Sequence, residues 1–239
     1  MSVKPYDGTG SKRDQVEHMF DGISPKYDLL NRVLSLGVDQ AWRRKAIARV
    51  AAEPVDHLLD VATGTADMAI MAARRNAAQR VTGVDISAGM LDFGRKKVND
   101  AGLAERVALQ QADSEALPFA DGMFDAITVA FGARNFSDLP KGIGEMHRVL
   151  RTGGRVFVLE FSQPSGIMRP LFRFYFHNVM PTIGKLVSKD SAAYTYLPKS
   201  VDAFPDGDAF LLVMRGAGFK DAKAERFTGG IATLYSGRK

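Results

Sequence analysis

Short apolar runs alternate with helical stretches along this chain, and the first three runs each end in or beside an acid. The runs cover residues 57–62, 80–85, 107–112, 124–131 and 155–161; helical patterns fill 67–76, 87–100 and 138–150. Such alternation implies an α/β fold, a doubly wound and mostly parallel sheet covered by helices on both faces. Thr152-Gly153-Gly154 reads as a turn before the fifth strand. A helix over 206–217 precedes two last strands near 219–227 and 230–236, with Gly229-Gly230 as a hairpin turn. A length of 239 residues with 46% hydrophobic content suits one domain, read as 13–239.

Two segments depart from the rhythm. Residues 13–52 are helical throughout: Val16, Met19 and Phe20 fall at i, i+3, i+4, Ser24-Pro25 reads as a helix start, and Trp42, Ile47 and Val50 continue the pattern. They form a helical cap ahead of the first strand, after a polar lead-in (1–12) expected to be disordered. Residues 163–200 are aromatic and basic, with Phe172, Phe174, Tyr175, Phe176 and Tyr196 beside Arg169, Arg173, Lys185 and Lys189. This segment is read as a helical insertion before the last strands.

The absence of cysteine excludes disulfides and thiolate chemistry, and His18, His57, His147 and His177 lack metal-ligand spacing, so no metal is expected. A net charge of +5 and a pI near 9.4 suit an anionic partner, nucleic acid or an acidic membrane, or solubility alone. No apolar run is long enough to span a bilayer, and the N-terminus lacks the apolar stretch of a secretory signal, so a cytoplasmic location is expected.

Ligands of open parallel sheets bind at the carboxyl ends of the strands. The first strand leads into Asp60-Val61-Ala62-Thr63-Gly64-Thr65-Ala66-Asp67, whose small residues admit a close-lying ligand. Asp85 ends the second strand, 21 residues after Gly64 (85 − 64), near the spacing at which an acid meets a ribose. The loop has one glycine where a dinucleotide fingerprint needs three, and a carboxylate at Asp67 would repel a pyrophosphate. A cationic sulfur nucleoside without phosphates, S-adenosylmethionine, fits better. Asp113 and Ser114 follow the third strand, where Asp113 could accept from an adenine amino group; a solvent-exposed acidic loop is the plainer reading.

The motifs Phe20-Asp21-Gly22-Ile23-Ser24-Pro25-Lys26-Tyr27-Asp28-Leu29-Leu30-Asn31, Gly64-Thr65-Ala66-Asp67, Glu115-Ala116-Leu117-Pro118-Phe119, Phe131-Gly132-Ala133-Arg134-Asn135 and Leu159-Glu160-Phe161-Ser162 run through nearly the whole chain. In them the chain resembles the menaquinone and ubiquinone biosynthesis C-methyltransferases, of the demethylmenaquinone methyltransferase type. The resemblance implies a class I, Rossmann-like methyltransferase fold and S-adenosylmethionine contacts at Thr65, Asp85, Asp113 and Ser114. The ubiquinone branch often carries Ser where this chain has Ala130, so no hydroxyl contact is carried over there. The implied reaction is C-methylation of a prenylated quinol, demethylmenaquinol to menaquinol. The alternatives are the ubiquinone-pathway enzyme acting on 2-methoxy-6-polyprenyl-1,4-benzoquinol, a dual enzyme, or, more distantly, an RNA or small-metabolite methyltransferase. No nucleic-acid partner is expected on the main reading.

C-methylation needs a ring carbon made nucleophilic by loss of a hydroxyl proton. Arg134, after the fourth strand, is the candidate phenolate stabiliser, with Asn135 orienting the substrate oxygen. The plainer reading pairs Arg134 with an acid such as Asp138. Tyr27 and Asp28 on the cap could close over the substrate, with Asp28 as proton acceptor or as a helix cap. Asp60, Gly64, Thr65, Asp67, Asp85, Asp113 and Ser114 complete the expected cofactor set. The insertion either packs as core or holds an isoprenoid tail while its cations meet a membrane, transiently and on the inner face. A homodimer is left open.

Overall fold

A computed structural model describes residues 3–6, 9–164, 166, 168–179 and 192–239. Its seven-stranded sheet comprises β1 (His57–Val61), β2 (Arg80–Asp85), β3 (Val107–Gln111), β4 (Phe124–Ala130), β5 (Leu150–Phe161), β6 (Lys220–Phe227) and β7 (Ala232–Arg238), in the order β3-β2-β1-β4-β5-β7-β6. The first five strands pair in parallel, and β7 runs antiparallel between β5 and β6. The chain leaves β1 toward β2 and β3, then returns to β4 on the other side. The strand order therefore reverses beside the carboxyl ends of β1 and β4, where a ligand crevice opens.

Alternation within the buried strands feeds two cores. Leu58 and Ala126 face Trp42, Ala46, Ile47 and Val50 of α3 (Val38–Val50) and the alanines of α4 (Asp67–Arg74). Leu59, Ile127 and Val156 face Ile143 and Met146 of α6 (Leu139–Val149) and Phe210 and Met214 of α9 (Asp208–Gly216). Two apolar faces on each strand are what a parallel sheet between helix layers requires. Side chains cap the helices: Ser87 accepts from Met90 N at the start of α5 (Ala88–Asp100), and Asp138 accepts from Lys141 N ahead of α6.

The cap is α1 (Lys12–Ile23), a short 3-10 turn at Ser24–Lys26, α2 (Tyr27–Ser35) and α3; the insertion includes α7 (Met168–Phe174), a π-turn at Tyr175–Val179 and α8 (Ala192–Ala203). Lys185 and Lys189 lie outside the described residues. Cap and insertion share a third core, in which Val16, Met19 and Ile23 meet Phe176, Tyr196 and Val201. Within the lead-in, Pro5 is buried and the Tyr6 amide donates to Gln15 Oε1 at 3.0 Å.

β5 begins at Leu150, so Thr152-Gly153-Gly154 lies inside the strand rather than forming a turn before it. The pairing with β4 shifts register between Phe124 and Ala126, and Gly153 has φ +76. At Gly154 a Cβ would come within 2.9 Å of the Arg151 and Asp125 carbonyl oxygens. The glycines thus serve a β-bulge.

Candidate active site

A cleft of about 700 Å³ opens over the carboxyl ends of β1, β2 and β4 and is roofed by α1 and α2. Gly64 (φ +57) exposes its backbone on the floor, where a Cβ would meet nothing nearer than Tyr27 Cε1 at 3.9 Å. Its amide donates to Asp85 Oδ2 at 2.8 Å, and the Ser87 amide donates to Asp85 Oδ1 at 2.9 Å. Burial pushes the Asp85 carboxyl up to about 6, against the opposing pull of these amides. Each oxygen retains a lone pair, the chemistry that accepts ribose hydroxyls. Asp113 and Ser114 line the opposite wall, with Asp113 paired to Arg13 Nε at 2.9 Å. Carboxylate, amide and small-residue backbone together fit an adenosine-bearing cation.

A second, larger cavity of about 1650 Å³ lies between the cap and the insertion, lined mainly by aromatic and aliphatic side chains. Trp42, Phe131, Phe161, Phe172 and Phe176 form an aromatic box, with Phe131 and Phe161 at 4.7 Å and Phe172 stacked on Phe176 at 4.7 Å. Four buried polar atoms lack any hydrogen-bond partner among the described residues: Arg43 Nε, Arg134 Nε, Asn135 Oδ1 and Tyr196 Oη. All four belong to residues lining this one cavity. An unsatisfied buried polar group costs roughly 1–3 kcal/mol, so their convergence marks a place for a ligand with oxygens on an apolar ring.

The two cavities share a wall of Phe20, Tyr27, Phe131 and Asn135. The backbone there is strained: Ala62 (φ 53) and Phe131 (φ 61) occupy the left-handed region at the ends of β1 and β4. Gly132 lets these loops cross, because a Cβ on it would lie 2.4 Å from Ala62 Cβ.

The model of the ubiE/COQ5 methyltransferase family matches residues 8–239. The chain belongs to this family. The demethylmenaquinone methyltransferase of Bacteroides fragilis is 48% identical over 238 residues, covering 99% of this chain and 97% of that protein. The ubiquinone/menaquinone biosynthesis C-methyltransferase UbiE of Geotalea daltonii is 48% identical over 230 residues, covering 95% and 97%. Among solved structures, a SAM-dependent methyltransferase from Thermotoga maritima superposes with a TM-score of 0.63 at 18% identity, covering 93% of this chain and 99% of its own. That likeness concerns the Rossmann-like fold.

In this ubiE/COQ5 chain the expected residues divide into three groups. Gly64, Asp85, Asp113 and Ser114 line the first cleft; Arg134 lines the second cavity; Tyr27 and Asn135 line both. Burial raises the Tyr27 phenol above its ordinary value, against the Arg43 charge and a hydrogen bond with Asn31. The third group lines neither cavity. Asp60 is buried beneath the loop, accepts from Thr63 Oγ1 and Thr128 Oγ1 at 2.6 Å each, and is pushed up to about 6 by burial. Asp28 accepts from Thr65 Oγ1 at 2.6 Å, and Lys97 Nζ of α5 reaches Asp28 Oδ2 at 2.6 Å and Asp67 Oδ1 at 2.5 Å. Asp67 is therefore neutralised by Lys97 rather than aimed at a ligand, and Asp28 ties α2 to α4 and α5.

Arg134 pairs with Glu160, Nη1 to Oε1 at 2.8 Å, while the suggested partner Asp138 caps α6. Lys12 Nζ donates to the carbonyls of Arg134 (3.1 Å) and Phe136 (2.7 Å), fixing this loop from the cap; burial lowers its ammonium to about 8. Lys12, Arg43 and Lys97 were not singled out from the sequence, and Tyr196 was read only as one of the aromatic residues of the insertion. The i, i+4 pair Asp39–Arg43 was the only readable sign of Arg43, and nothing local marks Lys12.

Proposed function

We propose that the chain transfers a methyl group from S-adenosylmethionine, held in the cleft beside Asp85 and Asp113, to a ring carbon of demethylmenaquinol, held in the aromatic cavity. The observation carrying this reading is that a carboxylate-bearing cleft and a predominantly aromatic cavity meet at one shared wall that includes Asn135, with Arg134 beside it. Asp85 accepts from the ribose hydroxyls, the Asp113-Ser114 turn faces the adenine, and Gly64 lets backbone approach the cofactor. The bound sulfonium supplies an electrophilic methyl that needs no metal. Arg134, anchored by Glu160, stabilises the phenolate, and Asn135 Oδ1 accepts from a ring hydroxyl. The ring gains the methyl and loses one hydrogen as a proton to water, while the sulfur leaves as a neutral thioether. Positioning by the shared wall can supply up to ~7–11 kcal/mol of the barrier.

The prenyl tail leaves through the mouth of the aromatic cavity. Leu36 and Leu171 line that cavity yet stand 82% and 62% exposed, and Phe174, one turn from Leu171, is 62% exposed. Exposed Arg169 and Arg173 flank them on α7. This combination suits transient contact with an anionic membrane surface, and no helix among the described residues is long and apolar enough to cross a membrane. Methyl-labelled S-adenosylmethionine incubated with demethylmenaquinol and, separately, with 2-methoxy-6-polyprenyl-1,4-benzoquinol tests the reading. Label on a ring carbon of menaquinol is expected; label on oxygen, or none with either quinol, refutes it. The Arg169→Glu, Arg173→Glu double variant should lose co-sedimentation with anionic liposomes while retaining cofactor binding, and unchanged co-sedimentation refutes the membrane contact.

A further inference from the structure

Among the buried arginines, Arg43 is the least satisfied. Its side chain is 8% exposed, and its contacts are a 3.6 Å ion pair from Nε to Asp39 Oδ2 and a stack over the Phe131 ring, 5.2 Å to the centroid. It makes no hydrogen bond among the described residues. Asp39 is itself occupied: Ser35 Oγ donates to its Oδ1 at 2.7 Å and Gln40 Nε2 to its Oδ2 at 3.0 Å. The other arginines at comparable depth differ. Arg134 is anchored to Glu160, and Arg155 donates to the carbonyls of Arg49, Val50 and Glu53. A guanidinium carries five fixed donors, and leaving them dry is costly unless something else accepts from them.

Arg43 lines the aromatic cavity from the cap side, opposite the insertion that brings Tyr196, itself 3% exposed with an unpartnered hydroxyl. Arg43 stacks on Phe131, and its charge is felt by Tyr27; both residues belong to the wall that the two cavities share. It thus stands beside the shared wall with donors free. Burial pushes the Tyr196 phenol up to about 12, so it remains a neutral donor.

We propose that Arg43 is a catalytic residue that donates to a ring oxygen of the quinol and holds that oxygen as the phenolate, with Tyr196 donating from the insertion side. This rests on the methyl-transfer reading above and adds a second cation to the one at Arg134. The quinol O–H bond breaks, its electron pair stays on oxygen beside Arg43, and the proton passes to water. The developing anion is thereby stabilised before the ring carbon reacts.

The test uses the full chain with Arg43→Gln, Arg43→Lys and Tyr196→Phe. Removing one preorganised oxyanion donor typically lowers kcat by about 10²–10³-fold. Arg43→Gln should lose activity on that order, Arg43→Lys should recover part of it, and Tyr196→Phe should lose about tenfold. S-adenosylhomocysteine affinity should stay within about twofold, because Arg43 does not line the cofactor cleft. A second readout needs no methyl transfer. Bound 1-naphthol is titrated spectrophotometrically; the wild type should ionise it at lower pH than free 1-naphthol, and Arg43→Gln should raise that midpoint by at least about one pH unit, a tenfold change. An inactive wild type that still ionises naphthol through Arg43 would sink the methyl-transfer reading alone. Equal naphthol titrations in wild type and Arg43→Gln, or kcat loss matched by an equal loss of cofactor affinity, would overturn the role of Arg43.

Discussion

The Glu160→Gln substitution probes the buried anchor of the methyl-transfer loop. Glu160 is fully buried and receives three N–H groups: Arg134 Nη1 at 2.8 Å, Arg134 N at 3.3 Å and Phe161 N at 2.9 Å. Gln keeps the volume but only one carbonyl oxygen; its amide nitrogen would face an N–H and repel it. The variant therefore loses one or more hydrogen bonds and leaves the Arg134 cation, whose side chain is 8% exposed, without a counter-charge. Breaking a buried pair from one side costs roughly 3–5 kcal/mol. At roughly 2–4 °C per kcal/mol for a chain of this size, Tm should fall by about 6–20 °C. Release of Arg134 should lower kcat by up to about 100-fold, the scale at which small misplacements act. Thermal unfolding followed by circular dichroism, with turnover measured below the lowered Tm, reads both. A variant within about 2 °C and about twofold of wild type would show that Glu160 anchors nothing.

Three further outcomes follow from the same geometry. In the proposed cofactor contact Asp85 would have to be ionised to accept two ribose hydroxyls, and burial raises its carboxyl to about 6; calorimetric affinity for S-adenosylhomocysteine should therefore hold above pH 7 and weaken about tenfold by pH 5. Asp85→Asn should bind weakly at both pH values, whereas a wild-type affinity flat from pH 7 to 5 contradicts this role. Gly132→Ala places a Cβ 2.4 Å from Ala62 Cβ and should destabilise by ~1–3 kcal/mol while lowering cofactor affinity; an unshifted urea midpoint would contradict that. Lys97→Met removes the cation between Asp28 and Asp67, a half-buried pairing worth ~0–1 kcal/mol per bridge. With two bridges and roughly 2–4 °C per kcal/mol, it should lower Tm by no more than about 8 °C yet raise the KM for S-adenosylmethionine about fivefold, and an unchanged KM would mean this cation does not shape the cleft.

Periodicity carried most of the fold because the central strands β1, β4 and the second half of β5 are buried on both faces and read as apolar runs, while the edge strand β3 is largely exposed. The exception at β5 has a physical cause: glycine pairs signal turns, but Gly153 and Gly154 serve a bulge opposite Phe124. The helix cap at Ser87 is a local interaction, and the serine opening the 87–100 helical pattern marks it in the sequence. Side chains that meet across the fold were harder to read. Asp28, Thr65 and Asp67 sit in family motifs, yet their partner Lys97 lies on α5, some thirty residues beyond the loop, and no local pattern links them. Arg134 was expected either to stabilise a phenolate or to pair with an acid such as Asp138; it does pair with an acid, but that acid is Glu160 from the adjacent strand β5. Arg43 hid within a helix whose other apolar positions build the core, since periodicity does not distinguish a core face from a cavity wall.

In the proposed reaction, methyl donor and acceptor occupy separate cavities with one shared wall. Trp42 is the sole tryptophan, and it lines the aromatic cavity but not the cofactor cleft. Quenching of its fluorescence by demethylmenaquinol, titrated with and without saturating S-adenosylhomocysteine, measures this directly. Saturable quenching with nearly the same midpoint is expected in both titrations. Displacement of the quinol by S-adenosylhomocysteine, or no quenching in either titration, would contradict it.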